Sequence, residues 1–348
     1  MNRSRPLSDA NTAPHPAPHP SRRAALARAG GLALGAGLLQ LGLPRAARAQ
    51  GYPDKAVRVV IAFPPGGATD ILARNLGQRL SAKLGQQFVI ENQPGAGGII
   101  GLETAAKAAP DGYTIFLCAL TNTAIATHLY PKATTLVARD FEPVALLANA
   151  PHVLNLHPSV PARTMPEFVA WLKANDGKVN YASQGNGTLS HLESELLAQR
   201  LGVKLVHVPY KGSAQALPDL LAGNVSFMFD SVAASMGHIK SGALRALAVA
   251  ATKRVAAVPD LPTVAEAGVN GYDVDNWFGV FMPKGAPAEP RQRLGAELAE
   301  VLRDPAMVAT LQQQGFDVAY GDAARLAAVT TAEIDKWGRV VKAASVTV

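Results

Sequence analysis

A strand, a glycine-rich turn and a helix follow one another without interruption in the segment 57–84, VRVVIAFPPGGATDILARNLGQRLSAKL. Residues 57–63 form an almost continuous apolar run rich in β-branched side chains, which is typical of a strand buried on both faces. Gly66 and Gly67 allow a sharp turn, and leucines at every fourth position from Leu72 to Leu84 predict the helix that follows.

The start of this helix is a candidate anion-binding site. The first N–H groups of a helix have no partner within it and lie at the positive end of the helix dipole. A carboxylate placed there would be held by the backbone alone. The opposing interpretation is an ordinary turn capped by Thr69 or Asp70, and the charge of Asp70 already uses part of the dipole. The candidate residues are Pro65, Gly66, Gly67, Ala68, Thr69 and Asp70.

The first 49 residues predict a secretory signal peptide. Ser21-Arg22-Arg23 precede an apolar core at 32–43, and Ala47-Arg48-Ala49 forms an A-x-A cleavage site. The core is too short for a membrane span, which needs roughly 20 residues. We therefore expect export to the periplasm and cleavage near Ala49, with the Sec and twin-arginine routes both open.

The basic character of the chain belongs to this leader. Of the 33 basic and 26 acidic residues, residues 1–49 hold seven and one, which leaves 26 basic and 25 acidic residues in the exported part. The charge therefore gives no support for nucleic-acid binding or for a polybasic membrane patch.

Strand-like and helical segments alternate along the rest of the chain, which predicts an α/β protein with mostly parallel sheets covered by helices. After the first strand, the predicted strands are residues 88–91, 113–119, 153–157, 179–182, 205–208, 225–229, 244–250 and 278–282. Extended runs at 144–157 and 277–282 bracket one block of this pattern. The prediction is a domain of residues 50–151 plus 283–348 and a domain of residues 152–282, joined by two crossing strands.

A second strand, glycine turn and helix lies in the inserted block. The strand at 179–182 is followed by SQGNGT and by a helix that ends at Gly202. If the two turns face each other across the crevice between the domains, they form two jaws lined with N–H groups and small hydroxyls. An ordinary capped helix is the alternative. The candidates here are Ser183, Gly185, Gly187, Thr188 and His191.

Other residues and motifs give weaker indications. The glycines at 95–101 miss the G-x-G-x-x-G spacing by one place, so no cofactor is predicted. His191 and Glu193 lack the C-x-x-C of a zinc deaminase, so no metal site is predicted. Tyr210 could reach the jaw, and Asp230 at a strand end could either hold a ligand or cap the next helix.

Eight segments taken together resemble the Bug receptors, the extracytoplasmic solute-binding components of the tripartite tricarboxylate transporter family. The resemblance runs in order over essentially the whole exported chain. The segments are AFPPGGATD, ENQPGAGGIIG, DGYTIFL, YASQGNGTLSHLESELL, VHVPYKGSAQALPDLLAGNVSFMFDS, LRALAV, LPTVAEAG and WFGVFMPKGAP.

The resemblance implies a two-lobed, Venus-flytrap fold of the type II-like periplasmic binding proteins, with a mostly parallel or mixed sheet in each lobe and a ligand cleft between them. It implies a monomer without cofactor that grips a small carboxylate, such as a di- or tricarboxylate, an amino acid or an aromatic acid, and presents it to membrane subunits of a tripartite tricarboxylate-type transporter or to a sensor. It adds Asn122, Tyr210 and Asp230 at the rim of the cleft.

An enzyme that acts on a small carboxylate, an isomerase or a decarboxylase, is the alternative function. It would need a general acid or base near the anion site. The side chains that could serve are His191, Asp230 and Asp70.

Overall fold

The computed structural model describes residues 51–130, 135–272 and 274–344. The predicted signal peptide, residues 1–49, lies outside the described residues. Within the described ranges no helix combines the length and the apolar character needed to cross a bilayer.

Eleven strands and eleven α-helices alternate through the described residues. The strands are β1 (Val57–Ile61), β2 (Phe88–Asn92), β3 (Thr114–Ala119), β4 (Phe141–Asn149), β5 (His152–Leu156), β6 (Asn180–Ser183), β7 (Val206–Pro209), β8 (Phe227–Ser231), β9 (Arg245–Ala250), β10 (Trp277–Pro283) and β11 (Asp317–Gly321). The helices are α1 (Ala68–Leu84), α2 (Ile99–Ala106), α3 (Ala126–Leu129), α4 (Val137–Asp140), α5 (Met165–Ala174), α6 (Leu189–Leu201), α7 (Ser213–Leu221), α8 (Val232–Lys240), α9 (Ala288–Arg303), α10 (Pro305–Gln313) and α11 (Ala323–Ala344).

The strands form two mixed sheets. The six-stranded sheet has the order β11-β4-β10-β3-β1-β2, with β1 parallel to both β2 and β3 and with β10 antiparallel to β3 and β4. The five-stranded sheet has the order β7-β6-β8-β5-β9, with β6 parallel to both β7 and β8 and with β5 antiparallel to β8 and β9. Each sheet with its helices is called a lobe below, the six-stranded lobe and the five-stranded lobe. The predicted two-lobed α/β class with a mixed sheet in each lobe is confirmed.

The chain passes between the lobes at two places, after β4 and before β10. Ala150 and Pro151 link β4 to β5, and the segment 251–276 leads from β9 to β10. Strand β10 belongs to the six-stranded sheet, although the predicted second boundary falls after residue 282. The division into 50–151 plus 283–348 and 152–282 stays a prediction, because it concerns units that move, whereas the sheets show only which strands pair.

The apolar patterns that predicted the first unit explain its packing. In β1 every residue except Arg58 is buried, and α1 buries Leu72, Leu76 and Leu80 beneath the sheet. Because β1 to β3 and β6 to β8 are the parallel parts of their sheets, the loops that follow them converge between the lobes.

Candidate functional site

A cavity lies between the two lobes, where these loops meet. Its volume is about 30 Å³, which is room for about two water molecules. The six-stranded lobe contributes Phe63, Pro64, Gly67, Ala68, Thr69, Ala119, Thr121 and Phe278. The five-stranded lobe contributes Gln184, Gly212, Ser213 and His152, the first residue of β5 after the first crossing, and the second crossing contributes Asn276.

The start of α1 presents free backbone donors to this cavity. Gly67 is the N-cap of α1 and no side chain caps the helix. Within the described ranges, no hydrogen bond uses the amides of Gly67, Ala68 or Thr69. Three N–H groups at the positive end of a 17-residue helix therefore line the cavity.

Asp70 shapes this loop and does not line the cavity. Its carboxylate accepts hydrogen bonds from the Gly66 amide at 3.0 Å, from Arg74 Nε at 2.9 Å and from Asn92 Nδ2 at 3.1 Å. Burial opposes the charge, but these contacts together lower the pKa of Asp70 below its usual value. Because Arg74 neutralises the carboxylate, Asp70 does not repel an anion at the neighbouring amides. Pro65 and Gly66 are exposed and make the turn itself.

In the second predicted loop, the backbone amides donate hydrogen bonds to groups of the same loop and of α6. The Gly187 amide donates to His191 Nδ1 at 3.1 Å, and the Gly185 amide donates to Ser183 Oγ at 3.1 Å. The Thr188 amide donates to the Gly185 carbonyl at 3.2 Å. Ser183, Gly185, Gly187, Thr188 and His191 do not line the cavity of Gly67. Of these residues, Gly185 lines the larger pocket that adjoins the cavity, and the amides of Gly185, Gly187 and Thr188 already have acceptors within the loop and α6.

The start of α7 stands opposite α1 instead. Gly212 has φ +112°, and a Cβ atom built on it would lie 2.9 Å from Pro64 Cδ, so only glycine allows the two loops to approach this closely. In the described part of the chain the amides of Gly212 and Ser213 donate to no other group. Two helix N-termini from different lobes thus share one cavity.

Asp230 lies directly behind the α7 loop. It is fully buried, and its Oδ1 accepts from Ser213 Oγ at 2.7 Å, from Gln184 Nε2 at 2.6 Å and from the Ser231 amide at 2.8 Å. Its Oδ2 has no partner among the described residues. Burial raises the pKa of Asp230 above its usual value in spite of these donors. Asp230 therefore acts on the cavity through Ser213 and Gln184.

A buried polar network joins the two crossings at the cavity wall. His152 Nδ1 lies 2.6 Å from Glu193 Oε2, and Asn276 Nδ2 lies 3.3 Å from His152 Nε2 and donates to the Ala150 carbonyl at 3.1 Å. Burial opposes the charged form of His152, but Glu193 raises its pKa. Burial likewise raises the pKa of Glu193.

A larger pocket of about 360 Å³ adjoins the cavity through Phe63, Pro64 and Gln184. It is lined by residues 94–98 on one side and by Gly185, Asn186 and residues 209–211 on the other. The Tyr210 hydroxyl donates to Asp219 Oδ2 at 2.5 Å, so it is held by its own lobe. Asn122 is buried, with its Nδ2 3.5 Å from the Gly97 carbonyl oxygen, and lines neither pocket.

Sequence reasoning missed several residues that line the cavity. His152 and Asn276 lie 124 positions apart and meet only because both crossings pass the cavity. In the sequence, Gly212 and Ser213 showed only that a glycine stands directly before a helix. The same pattern had marked the other two loops as candidates. No lysine or arginine lines the cavity, and the described residues contain no His, Cys, Asp or Glu group suited to a metal ion. The site thus offers amide and hydroxyl donors in a small cavity.

Comparisons with known proteins agree with one another over most of the chain. Residues 72–346 match the sequence model of a family described as "Tripartite tricarboxylate transporter family receptor". Protein BugT of Bordetella pertussis is 34% identical over 302 residues, covering 86% of this chain and 93% of BugT.

Solved structures show the same two-lobed arrangement. An R. palustris protein, Rpa4515 with adipate, is 34% identical with a TM-score of 0.83, covering 85% of this chain and 99% of that protein. MatC from Rhodopseudomonas palustris with bound malate is 33% identical with a TM-score of 0.78, covering 83% of this chain and all of MatC (100%).

Proposed function

This chain belongs to the tripartite tricarboxylate transporter receptor family, and from that premise we propose that it is an extracytoplasmic receptor that captures a small carboxylate between its lobes. The observation that carries the proposal is the meeting of two helix N-termini, α1 and α7, whose free amides line one cavity. Relatives solved with adipate and with malate support a small acid as the solute.

The physical basis of capture is a set of fixed dipoles in a low-dielectric space. Amides at two helix starts are already oriented, so a carboxylate replaces its water shell without reorganising the protein. The walls formed by Phe63, Pro64 and Phe278 exclude water and strengthen each hydrogen bond. Since no lysine or arginine among the described residues lines the cavity, the affinity comes chiefly from these donors.

Capture proceeds by closure of the two lobes. A cavity of about 30 Å³ is too small for a dicarboxylate, so the solute enters when the lobes are further apart. Thr121 Oγ1 accepts the Leu189 amide at 3.2 Å, and the Tyr130 hydroxyl donates to the Asn186 carbonyl at 3.2 Å, both across the cleft. A solute favours the closed form only through contacts that it makes there, which are those with the α7 loop.

The predicted partners and location complete this proposal. The leader, residues 1–49, takes the chain to the periplasm, where the closed monomer is recognised by membrane subunits of a tripartite tricarboxylate-type transporter or by a sensor. The moving units are the predicted domains with one change, because the pairing of β10 favours a second crossing near Asn276 over one at residue 282.

Calorimetric titration of the exported chain, residues 50–348, tests the proposal. The probes are succinate, adipate, L-malate, L-aspartate and acetate, preceded by a thermal-shift screen. At 100 times its Kd, a solute should stabilise the fold by about 2.7 kcal/mol. Conversion of the acid to a product would instead indicate an enzyme.

Gly67→Leu should abolish binding, since its Cβ would point toward Ser213 Oγ, 3.9 Å away, inside the cavity. Gly67 lies outside the left-handed region, so the variant should fold normally. Gly237→Leu is the matched control, because Gly237 is exposed on α8 with no atom within 4 Å of its Cβ position. Unchanged binding by Gly67→Leu would overturn the proposal.

A further inference from the structure

The polar groups of the cavity divide into a side that offers hydrogen-bond donors and a side that offers acceptors. We infer that the receptor selects acids with a hydroxyl or ammonium group beside the carboxylate, and that Asp230 sets this selection by orienting Ser213 and Gln184. The inference rests on the proposed function and names the substrate class of the same cavity.

The accepting side begins with Ser213. A serine hydroxyl has one hydrogen, and Ser213 gives it to Asp230 Oδ1 at 2.7 Å. Toward the cavity Ser213 Oγ can therefore only accept.

Gln184 is constrained in the same way. Its Nε2 donates to Asp230 Oδ1 at 2.6 Å and to Ser213 Oγ at 3.1 Å, which uses both hydrogens. The reverse orientation of the amide would place its oxygen against an acceptor of Asp230, so the buried carboxylate fixes which way Gln184 points. Gln184 can therefore offer a solute only its carbonyl oxygen Oε1, which accepts hydrogen bonds.

Asn276 provides an independent observation. It is 5% exposed, it lines the cavity, and its Nδ2 already donates to the Ala150 carbonyl at 3.1 Å. Its Oδ1 has no partner within the described ranges. A buried carbonyl oxygen without a donor is unfavourable, and a solute that carries a donor relieves it.

Both ring nitrogens of His152 face protein groups. With Nδ1 hydrogen-bonded to Glu193 at 2.6 Å, Nε2 faces the Asn276 amide nitrogen at 3.3 Å. Three acceptors therefore line one side of the cavity, from Ser213, Gln184 and Asn276.

The donating side consists of the two helix starts and Thr121. The Thr121 Oγ1 accepts from the Leu189 amide, which leaves its hydrogen for a solute. A carboxylate binds on this side, and a hydroxyl or ammonium group on the same molecule reaches the acceptors. A plain dicarboxylate leaves the acceptors desolvated and unpaired, which is how a site rejects a ligand without the matching group.

Titration of the exported chain with L-malate and succinate, which differ by one hydroxyl, tests the inference. L-Aspartate is the ammonium counterpart. We expect L-malate or L-aspartate to bind at least tenfold more tightly than succinate. Equal affinities for all three would overturn the selection and leave the proposed receptor function standing, whereas binding of none of them and of no other acid in the screen would overturn both.

Three variants distinguish residues that orient the acceptors of the cavity from residues that only stabilise the fold. Ser213→Ala removes one acceptor, and Asp230→Ala frees Ser213 and Gln184 to donate, so both should reduce the ratio of affinities to threefold or less. Asp230→Asn keeps an acceptor at Oδ1 and should retain the ratio. The ratio, unlike the stability, does not respond to a general loss of folding, and Ser213→Ala leaves the buried carboxylate in place. A ratio unchanged in both alanine variants would overturn the role of Asp230.

Discussion

The starts of α1 and α6 look alike in sequence and differ in what their amides do. Each follows a buried strand and a glycine-rich turn, and each lies at the cleft between the lobes. At α1, the amides of Gly67, Ala68 and Thr69 remain free and line the cavity. At α6, the amides of Gly185 and Gly187 are bound by side chains of the same loop.

The difference comes from the polar side chains around each turn. Ser183, Ser190 and His191 all lie within hydrogen-bond reach of the second turn and use its donors. Near the first turn the Asp70 carboxylate uses one backbone amide of the turn, that of Gly66, one residue before the cavity. A glycine-rich helix start can bind an anion through its backbone only where its neighbours leave the N–H groups free, and in the five-stranded lobe the start with free amides at the cavity is α7.

The largest expected effect on affinity comes from replacing Gly212, at the start of α7, by a residue that has a Cβ atom. Gly212→Ala would meet Pro64 Cδ at 2.9 Å and would force alanine into φ +112°, so the α7 loop cannot reach the α1 loop. We expect the affinity for the captured acid to fall at least 100-fold, about 2.7 kcal/mol, in calorimetric titration.

Gly187→Ala is the matched test at the start of α6. Gly187 also has positive φ, +70°, so alanine should lower stability by about 1–2 kcal/mol. Because Gly187 does not line the cavity, the Kd should stay within about threefold. An equal loss of affinity in the two variants would break the distinction between α6 and α7.

The second prediction concerns pH. His191 accepts the Gly187 amide and His207 Nε2 lies 2.6 Å from Ser183 Oγ, so histidines support the α6 start, whereas the Asp70 carboxylate supports the α1 start. Burial, and to a lesser degree His207, lowers the pKa of His191 to about 3, and burial lowers the pKa of His207 to about 4. The unfolded chain takes up protons near pH 6.5 that the folded chain cannot, so stability falls as the pH drops from about 6.5 to about 4. Allowing for partial exposure of His207, we expect a loss on the order of 1–3 kcal/mol in urea unfolding.

His207→Gln should flatten this dependence. The α1 start behaves differently, because the lowered pKa of Asp70 means that its contribution is lost only below about pH 3.8. Hydrogen exchange at pH 5 should therefore show faster exchange, relative to pH 7 and after correction for intrinsic rates, in residues 183–191 than in residues 66–70. If exchange accelerates equally in the two loops, the acid sensitivity does not come from His191 and His207.

Much of the fold was predictable from sequence because strands and helices follow from local apolar periodicity. The nine predicted strands correspond to β1 to β3 and β5 to β10, whereas β4 was contained only in the extended run 144–157 and β11 was not predicted. The resemblance to the Bug receptors identified the family. Whether an individual amide is free or hydrogen-bonded was not predictable, since this depends on distances in the tertiary structure. Thr121 binds the Leu189 amide across 68 residues, and Asn276 reaches His152 across 124, contacts that no local pattern encodes.

A smaller effect is expected when one amide of the second turn loses its acceptor. Ser190 Oγ accepts the Gln184 amide at 2.9 Å, and Ser190 is fully buried. Ser190→Ala should lower the free energy of unfolding by about 1 kcal/mol in urea titration. The affinity should weaken only a few-fold, through looser placement of Gln184. Tighter binding of the acid would show instead that a freed amide there can join the site.

The smallest effect tests whether the α6 loop contributes to closure although its amides do not bind the solute. The Tyr130 hydroxyl donates across the cleft to the Asn186 carbonyl at 3.2 Å, and Tyr130 is partly exposed. Tyr130→Phe should weaken binding two- to fivefold, about 0.5–1 kcal/mol, because only the closed form makes this bond. Tyr320→Phe is the matched control, since the Tyr320 hydroxyl donates to the Gly295 carbonyl at 3.4 Å within the six-stranded lobe. If the two variants bind the acid equally well, the α6 loop serves neither capture nor closure, and its resemblance to the α1 loop is confined to local chain geometry.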